Sequence, residues 1–448
     1  MTSLRRTLGT TDLTLLVIGN VIGSGIFLVP STVLKQSGSV RVALLVWLVG
    51  GVLSLFGALS YGELGAMDGS SGGLYAYTRD AFGRFAGFLY GWTLFFVIGA
   101  GTIATLAVAA ANYMGQFAEL TPRLKQLIAV GLIALMAVIN VRGTRGSASV
   151  QNWATGLKVG AIVVMSLILL LMGSSSDAAT ATAAAAPPLI ASSSLFSAVG
   201  TAMISVLWAY EGWQYVTFSA GEALDPQRSL PRAITIGTIA LIAIYLLANV
   251  AYLAALGPAG VAASDRVAGD ATAAVLGPWA GKAIAVAIII SMYSAAHATV
   301  ITAPRVYYTM AKDRVFFDKL AEVHPKFGTP AFAIITSCGW AAVLAWSGTF
   351  EQLLTYVVFI GWIFYALGAG AVLVLRRTRP DAVRPFRVPG YPWTPILFII
   401  AAIAIVGNAI VTQPLQAAIG LGVVLLGAPA FWFWDRRSRA SSGDSQAG

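Results

Sequence analysis

The chain has very little of what catalysis and redox chemistry draw on. It holds a single cysteine, Cys338, so no intrachain disulfide can form. Cys338 lies within an apolar segment, and no loop cysteine is available to tie on a partner subunit. There are two histidines, His297 and His324. No HExxH or comparable cluster surrounds either one. An enzyme working inside a membrane would need a metal constellation or a nucleophile paired with a base. Neither pattern occurs, so no enzyme activity, metal or cofactor is expected. Charge is scarce as well: 10% of residues, against about 25% in a soluble domain.

What fills the chain instead is apolar sequence. Of 448 residues, 58% are hydrophobic, and the mean hydropathy is +0.80. An all-α polytopic membrane protein is expected. Apolar runs of helical length predict twelve transmembrane helices: 12–36, 40–62, 84–115, 124–141, 151–173, 196–219, 231–256, 278–310, 331–347, 352–375, 393–411 and 414–434. An even number puts both termini on one side. With that side cytoplasmic, 21 of the 28 Lys and Arg residues fall inside and six outside. Lys158 alone is left within a span. The bias fixes both termini in the cytoplasm. It also accounts for the net charge of +10 without nucleic acid. Met1 to Thr11 is short and polar, and no small-residue cleavage site follows the first apolar run, so a secretory signal is not expected. The Ser-, Ala- and Thr-rich stretch 174–195 reads as an external loop. The Ser- and Gly-rich segment 435–448 reads as a disordered cytoplasmic tail.

Two spans carry breaks where they should be deepest. The first centres on Gly19-Asn20-Val21-Ile22-Gly23-Ser24-Gly25-Ile26-Phe27. Glycine and serine are poor helix formers, and a break at mid-membrane must face protein or a water-filled cavity. Such a break frees N–H groups on one half-helix and C=O groups on the other, which together suit a zwitterion. The competing reading is a small-residue packing face. The sixth span carries Trp208-Ala209-Tyr210-Glu211-Gly212-Trp213-Gln214 at its middle, too far from either end for an interfacial aromatic belt. Spans one and six open two five-helix halves, and paired interruptions at corresponding positions point to a transporter site between inverted repeats.

Three polar side chains inside spans stand out. A lysine at mid-membrane costs about 2.5–3.5 kcal/mol on insertion scales, so Lys158 is expected to have partners and a role. A lysine snorkelling from the inner end, some seven residues away, is the alternative. Glu211 reads as a contact for a basic side chain, a proton acceptor, or a hydrogen-bonding group within the break. His297 reads as a hydrogen-bonded interior residue or a proton relay. Glu63 ends the second span as a helix-end or loop contact. Arg305 and Lys312 begin a cytoplasmic loop as topology charges.

Five motifs in order carry a resemblance over essentially the whole chain. They are the glycine motif of residues 19–27, Gly62-Glu63-Leu64-Gly65-Ala66-Met67 with Gly72-Gly73-Leu74-Tyr75-Ala76-Tyr77, Phe88-Leu89-Tyr90-Gly91-Trp92, Gly221-Glu222-Ala223-Leu224-Asp225-Pro226, and Arg384-Pro385-Phe386-Arg387-Val388-Pro389-Gly390-Tyr391-Pro392. The chain resembles the amino acid–polyamine–organocation transporters, and within them the L-type amino acid transporter branch. His297 departs from the pattern, since the family often has Asn there.

The resemblance implies two inverted five-helix repeats with broken first and sixth helices, 12–173 and 196–375, a cytoplasmic loop 376–392, and two accessory helices within 393–434. It implies a secondary transporter of L-amino acids working by alternating access. The substrate carboxylate would meet backbone N–H groups of Gly23, Ser24 and Gly25. The ammonium would meet carbonyls of Val21, Trp208, Ala209 and Glu211, with the Trp208 ring as outer gate. Lys158 resembles the fifth-helix lysine that replaces sodium in family members, so sodium-independent exchange or facilitated uptake is expected. The small, uncharged surface of Gly99, Thr102 and Ile103 favours neutral amino acids. Proton-coupled symport is the alternative, followed by cationic amino acid or polyamine transport and a transceptor-type nutrient sensor. The expected surroundings are a plasma membrane, in a bacterium the inner one. A monomer or weak homo-oligomer without a disulfide-linked heavy subunit is expected.

Overall fold

In the computed structural model, residues 6–173, 195–348 and 350–443 are described. The segment assigned to the external loop, from Ser174, falls almost wholly outside them. The described residues are helical, joined by turns, with one isolated bridge between Leu8 and Ala223.

The helices are α1 (Thr10–Val21), α2 (Gly25–Ser37), α3 (Val40–Met67), α4 (Leu74–Phe82), α5 (Arg84–Thr93), α6 (Gly99–Met114), α7 (Pro122–Val141) and α8 (Thr144–Met172). They continue as α9 (Leu195–Ala209), α10 (Pro226–Ala263), α11 (Val267–Leu276), α12 (Pro278–Lys312), α13 (Ala331–Ser347), α14 (Phe350–Thr378), α15 (Trp393–Thr412) and α16 (Pro414–Gly443). A π-helical turn, Leu94–Ile98, joins α5 to α6 into one span, and a 3-10 helix, Trp213–Glu222, follows α9.

Among the described residues, nine helical segments are long and apolar enough to cross a membrane, and the bent pair α1–α2 makes a tenth. The remaining two expected spans are shorter: α9 has 15 residues and α13 has 17. The chain is a multi-pass helical membrane protein. Local chemistry sets many of the helix ends. Pro122, Pro226, Pro278 and Pro414 open helices at the first turn, where a missing N–H costs nothing. Gly38 closes α2 in the left-handed region at φ 65°.

Three features differ from the sequence reading. Residues 74–82 and 267–276, which fall between the expected spans, form α4 and α11. Neither is long enough to be caught as a span. The last helix also runs on to Gly443, well past the expected end at residue 434. Asp435, buried and paired with Arg84 at 3.3 Å, holds the first turn of the expected tail against the bundle.

The broken segment α1–α2 is central. Helix α1 packs on α8, α10 and α12, while α2 packs on α9 and α10. Lipid-facing positions carry the exposed apolar residues, for example Leu171, Val411 and Leu425. At the far end of α3, Glu63 is fully buried. It accepts from Arg376 at 2.8 and 2.6 Å and from the Val388 backbone N–H at 2.7 Å. The Arg376 guanidinium stacks 3.8 Å from the Tyr391 ring centre. The expected loop contact of Glu63 is therefore an anchor for the whole 376–392 segment. Glu63→Ala is expected to cost about 3 kcal/mol, because it leaves buried donors without an acceptor. Thermal unfolding in detergent checks this. An unchanged Tm would mean the anchor carries no load.

Candidate functional site

The break between α1 and α2 bends the pair by 45°. Its carbonyls are covered by side chains from three other helices. Lys158 on α8 is 1% exposed, and its ammonium donates to the Gly19 and Ile22 carbonyls, each at 2.7 Å. Ser291 on α12 reaches the Ile22 and Gly23 carbonyls at 3.1 and 3.3 Å. The Tyr245 hydroxyl on α10 lies 3.2 Å from the Val21 carbonyl and 2.9 Å from that of Ala209. The N–H side is different. Among the described residues, the backbone amides of Gly23, Ser24 and Gly25 have no protein acceptor, and all three residues are buried. They stand at the start of α2, where the helix dipole favours an anion.

The second break lies against the first. Helix α9 ends at Ala209, and Gly212 turns the chain at φ 119°. A Cβ at Gly212 would lie 3.0 Å from the Asn20 carbonyl oxygen, so both conformation and space call for glycine. A Cβ at Gly25 would lie 2.4 Å from the Ala209 Cα. Backbone therefore packs directly on backbone where the two breaks meet. The Trp208 indole N–H donates to the Ser24 hydroxyl at 3.2 Å, tying α9 to the first break.

The carbonyls expected to take a substrate ammonium are mostly engaged. Val21 and Ala209 share the Tyr245 hydroxyl, and the Trp208 carbonyl accepts from the Glu211 N–H at 3.1 Å. Each carbonyl keeps a second lone pair. The Glu211 side chain is bonded within its own neighbourhood, by Gln214 at 2.7 Å and by the Tyr365 hydroxyl. Both contacts are hydrogen bonds within the protein. His297 is 1% exposed, and its ring faces Gln151 on α8 rather than the breaks. Its Nδ1 lies 3.4 Å from the Gln151 side-chain carbonyl. Gln151 in turn donates to Thr155 and Ser294, both at 3.1 Å. Gly99, Thr102 and Ile103 are buried on α6, but Leu106, one turn from Thr102, is the α6 residue against Gly23.

Arg305, expected as a topology charge, also makes a buried ion pair. Its side chain is 2% exposed and forms a double contact with the fully buried Glu222, at 2.8 and 3.2 Å. The Glu222 carbonyl also accepts from the Thr7 and Leu8 amides, at 2.8 and 3.0 Å. The N-terminal strap, the end of the 3-10 helix and α12 thus meet at one ion pair. The apolar flank of Arg305 resembles a span end in sequence, and only the fold brings Glu222 to it.

Sequence reasoning also missed Tyr245, Ser291, Gln151 and Tyr365. Gln151 alone carried a usable signal. It precedes Lys158 by seven residues, two turns along one helix face. The others are single hydroxyls in apolar runs, indistinguishable there from many hydroxyls that bond their own helix.

The description "Amino acid permease" belongs to the family model that matches residues 8–426. The chain is 31% identical over 437 residues to the serine/threonine exchanger SteT of Bacillus subtilis, covering 94% of this chain and 95% of that one. It is 30% identical over 445 residues to the mouse large neutral amino acids transporter small subunit 2, covering 98% and 83%. It is 30% identical over 434 residues to the human cystine/glutamate transporter, covering 95% and 85%.

Gly25→Ala tests the apposition of the two breaks. The added methyl meets main-chain atoms, which no side-chain rotation relieves. The expected result is a lower Tm in detergent, by an overpacking cost of about 1–3 kcal/mol. A wild-type Tm would show that the breaks separate freely.

Proposed function

The chain belongs to the amino acid permease family, and on that footing we propose that it carries L-amino acids across a membrane by sodium-independent exchange. The observation that supports this best is the set of three buried, unpartnered amides at Gly23, Ser24 and Gly25, packed against the second break. In this reading they receive the substrate carboxylate, and the spare lone pairs of Val21, Trp208, Ala209 and Glu211 receive the ammonium. The names of the relatives, all amino acid transporters or exchangers, agree with it. No enzymatic step is invoked.

A neutral side chain suits the electrostatics. The two charged groups beside the breaks are committed, Lys158 to carbonyls and Glu211 to Tyr365 and Gln214. Neither is left as a counter-ion for a basic or acidic substrate. The Lys158 ammonium also supplies a fixed positive charge at the carbonyls a coupling cation would use. Substrate entry requires the breaks to part. We assign Trp208 to the outer gate and the Glu222–Arg305 pair, with its Thr7–Leu8 strap, to the cytoplasmic closure. Residues 12–173 and 196–375 are the two repeats that rock about the site. The distribution of Lys and Arg supports a cytoplasmic side for both termini. The chain works without a disulfide-linked subunit.

Proteoliposomes test the proposal. Uptake of labelled serine, leucine or alanine should need unlabelled amino acid inside and persist when choline replaces sodium. Uptake that disappears without sodium would refute the role of Lys158. Uptake driven by a pH gradient into empty vesicles would favour proton symport instead. Lys158→Ala should cut exchange by at least tenfold, since it removes two buried charge-assisted contacts, each worth about 1.5–3 kcal/mol. Unimpaired exchange would make the lysine incidental.

A further inference from the structure

Two cavities each take lining residues from both α13 and α16. The first, about 990 Å³, lies where the apolar runs of α12, α13 and α16 give way to charge. Lys312, Arg314, Lys319 and Arg437 line it, with Asp318 as the one acid. Among the described residues, Lys312, Lys319 and Arg437 make no ion pair. Phe317, Phe332 and Phe433 share the lining and are exposed, and the Lys319 ammonium sits 5.8 Å from the Phe332 ring centre.

The second cavity, about 380 Å³, is apolar. Trp340 and Leu344 of α13 and Ile419 and Val423 of α16 form facing walls. Its two indoles offer it no free N–H. Trp92 donates to the Val423 carbonyl at 3.0 Å, and Trp340 donates to that of Phe96 at 2.9 Å. At 1.5 Å per residue, Phe332 to Trp340 is about 12 Å and Phe433 to Val423 about 15 Å along the helices. Both chambers thus draw on the same two helices, offset along them, the basic one at the end of the apolar runs and the apolar one further along toward the membrane interior.

We propose that this slot binds one anionic phospholipid, its phosphodiester headgroup in the basic chamber and an acyl chain in the apolar one. A soluble phosphate would use only the first chamber. A zwitterionic lipid would leave the surplus positive charge unanswered. The proposal rests on the assignment of this edge to the cytoplasmic side, where leaflets carry anionic lipid. It does not depend on which amino acid is carried.

Native mass spectrometry and thermal unfolding of the purified full chain test it, with phosphatidylglycerol, phosphatidylcholine and glycerol 3-phosphate as probes. Phosphatidylglycerol should bind about tenfold more tightly than phosphatidylcholine, and glycerol 3-phosphate should not raise Tm. The double variant Lys319→Gln, Arg437→Gln changes only exposed side chains and should abolish the preference. Leu344→Trp should weaken both lipids by filling the apolar chamber. Equal binding of the two lipids, or a preference untouched by the double variant, would overturn the proposal. So would a Tm rise with glycerol 3-phosphate equal to that with phosphatidylglycerol. Loss of exchange in the unaltered protein alongside a retained lipid preference would count against the transport reading alone.

Discussion

A helix opened inside a membrane must have its freed backbone groups answered from within the protein. Lys158 does this at two of the four carbonyls that side chains meet at the first break. Its ammonium donates to Gly19 and Ile22, and Ser291 and Tyr245 take the neighbouring Gly23 and Val21 carbonyls. Three helices, α8, α12 and α10, are held to α1 by those contacts. An unmet carbonyl there would cost several kcal/mol in hydrocarbon.

The asymmetry of the break is what gives it chemical character. Carbonyls are satisfied by side chains, whereas the amides of Gly23, Ser24 and Gly25 are not. An acceptor is therefore wanted at one end only. That suits a carboxylate, and it explains why the site can be electrically quiet elsewhere. Glu211, Glu222 and Glu63 each have a committed donor. Two of those pairs sit away from the breaks and lock segments that follow spans, so charge is used in this protein mainly to fasten loops and strap ends to the bundle.

The outer helices follow a different rule. Around α1 the packing brings backbone to backbone, with glycine where a side chain would collide. Between α13 and α16 it leaves room. Apolar helices in lipid gain little from pressing together, because acyl chains are as apolar as leucine. A gap at such a seam is filled by lipid at little cost, and basic residues at its mouth select which lipid.

The sequence alone determined the membrane class, the order of spans, the two breaks and the lone cation, Lys158, inside a span. Each of these is written in local composition: apolar runs of fixed length, glycine in the middle of a span, one cation where none belongs. The tertiary structure decided the partners. Lys158 was readable as a buried cation, but its acceptors lie 136 and 139 residues away. Arg305 looked like a span-end charge because Glu222, 83 residues earlier, is brought to it only by folding. Tyr245 and Ser291 are ordinary hydroxyls until the breaks arrive beside them. The position of a polar group along the chain follows from hydropathy. Which group answers it depends on how the helices pack, and that information is spread over all of them at once.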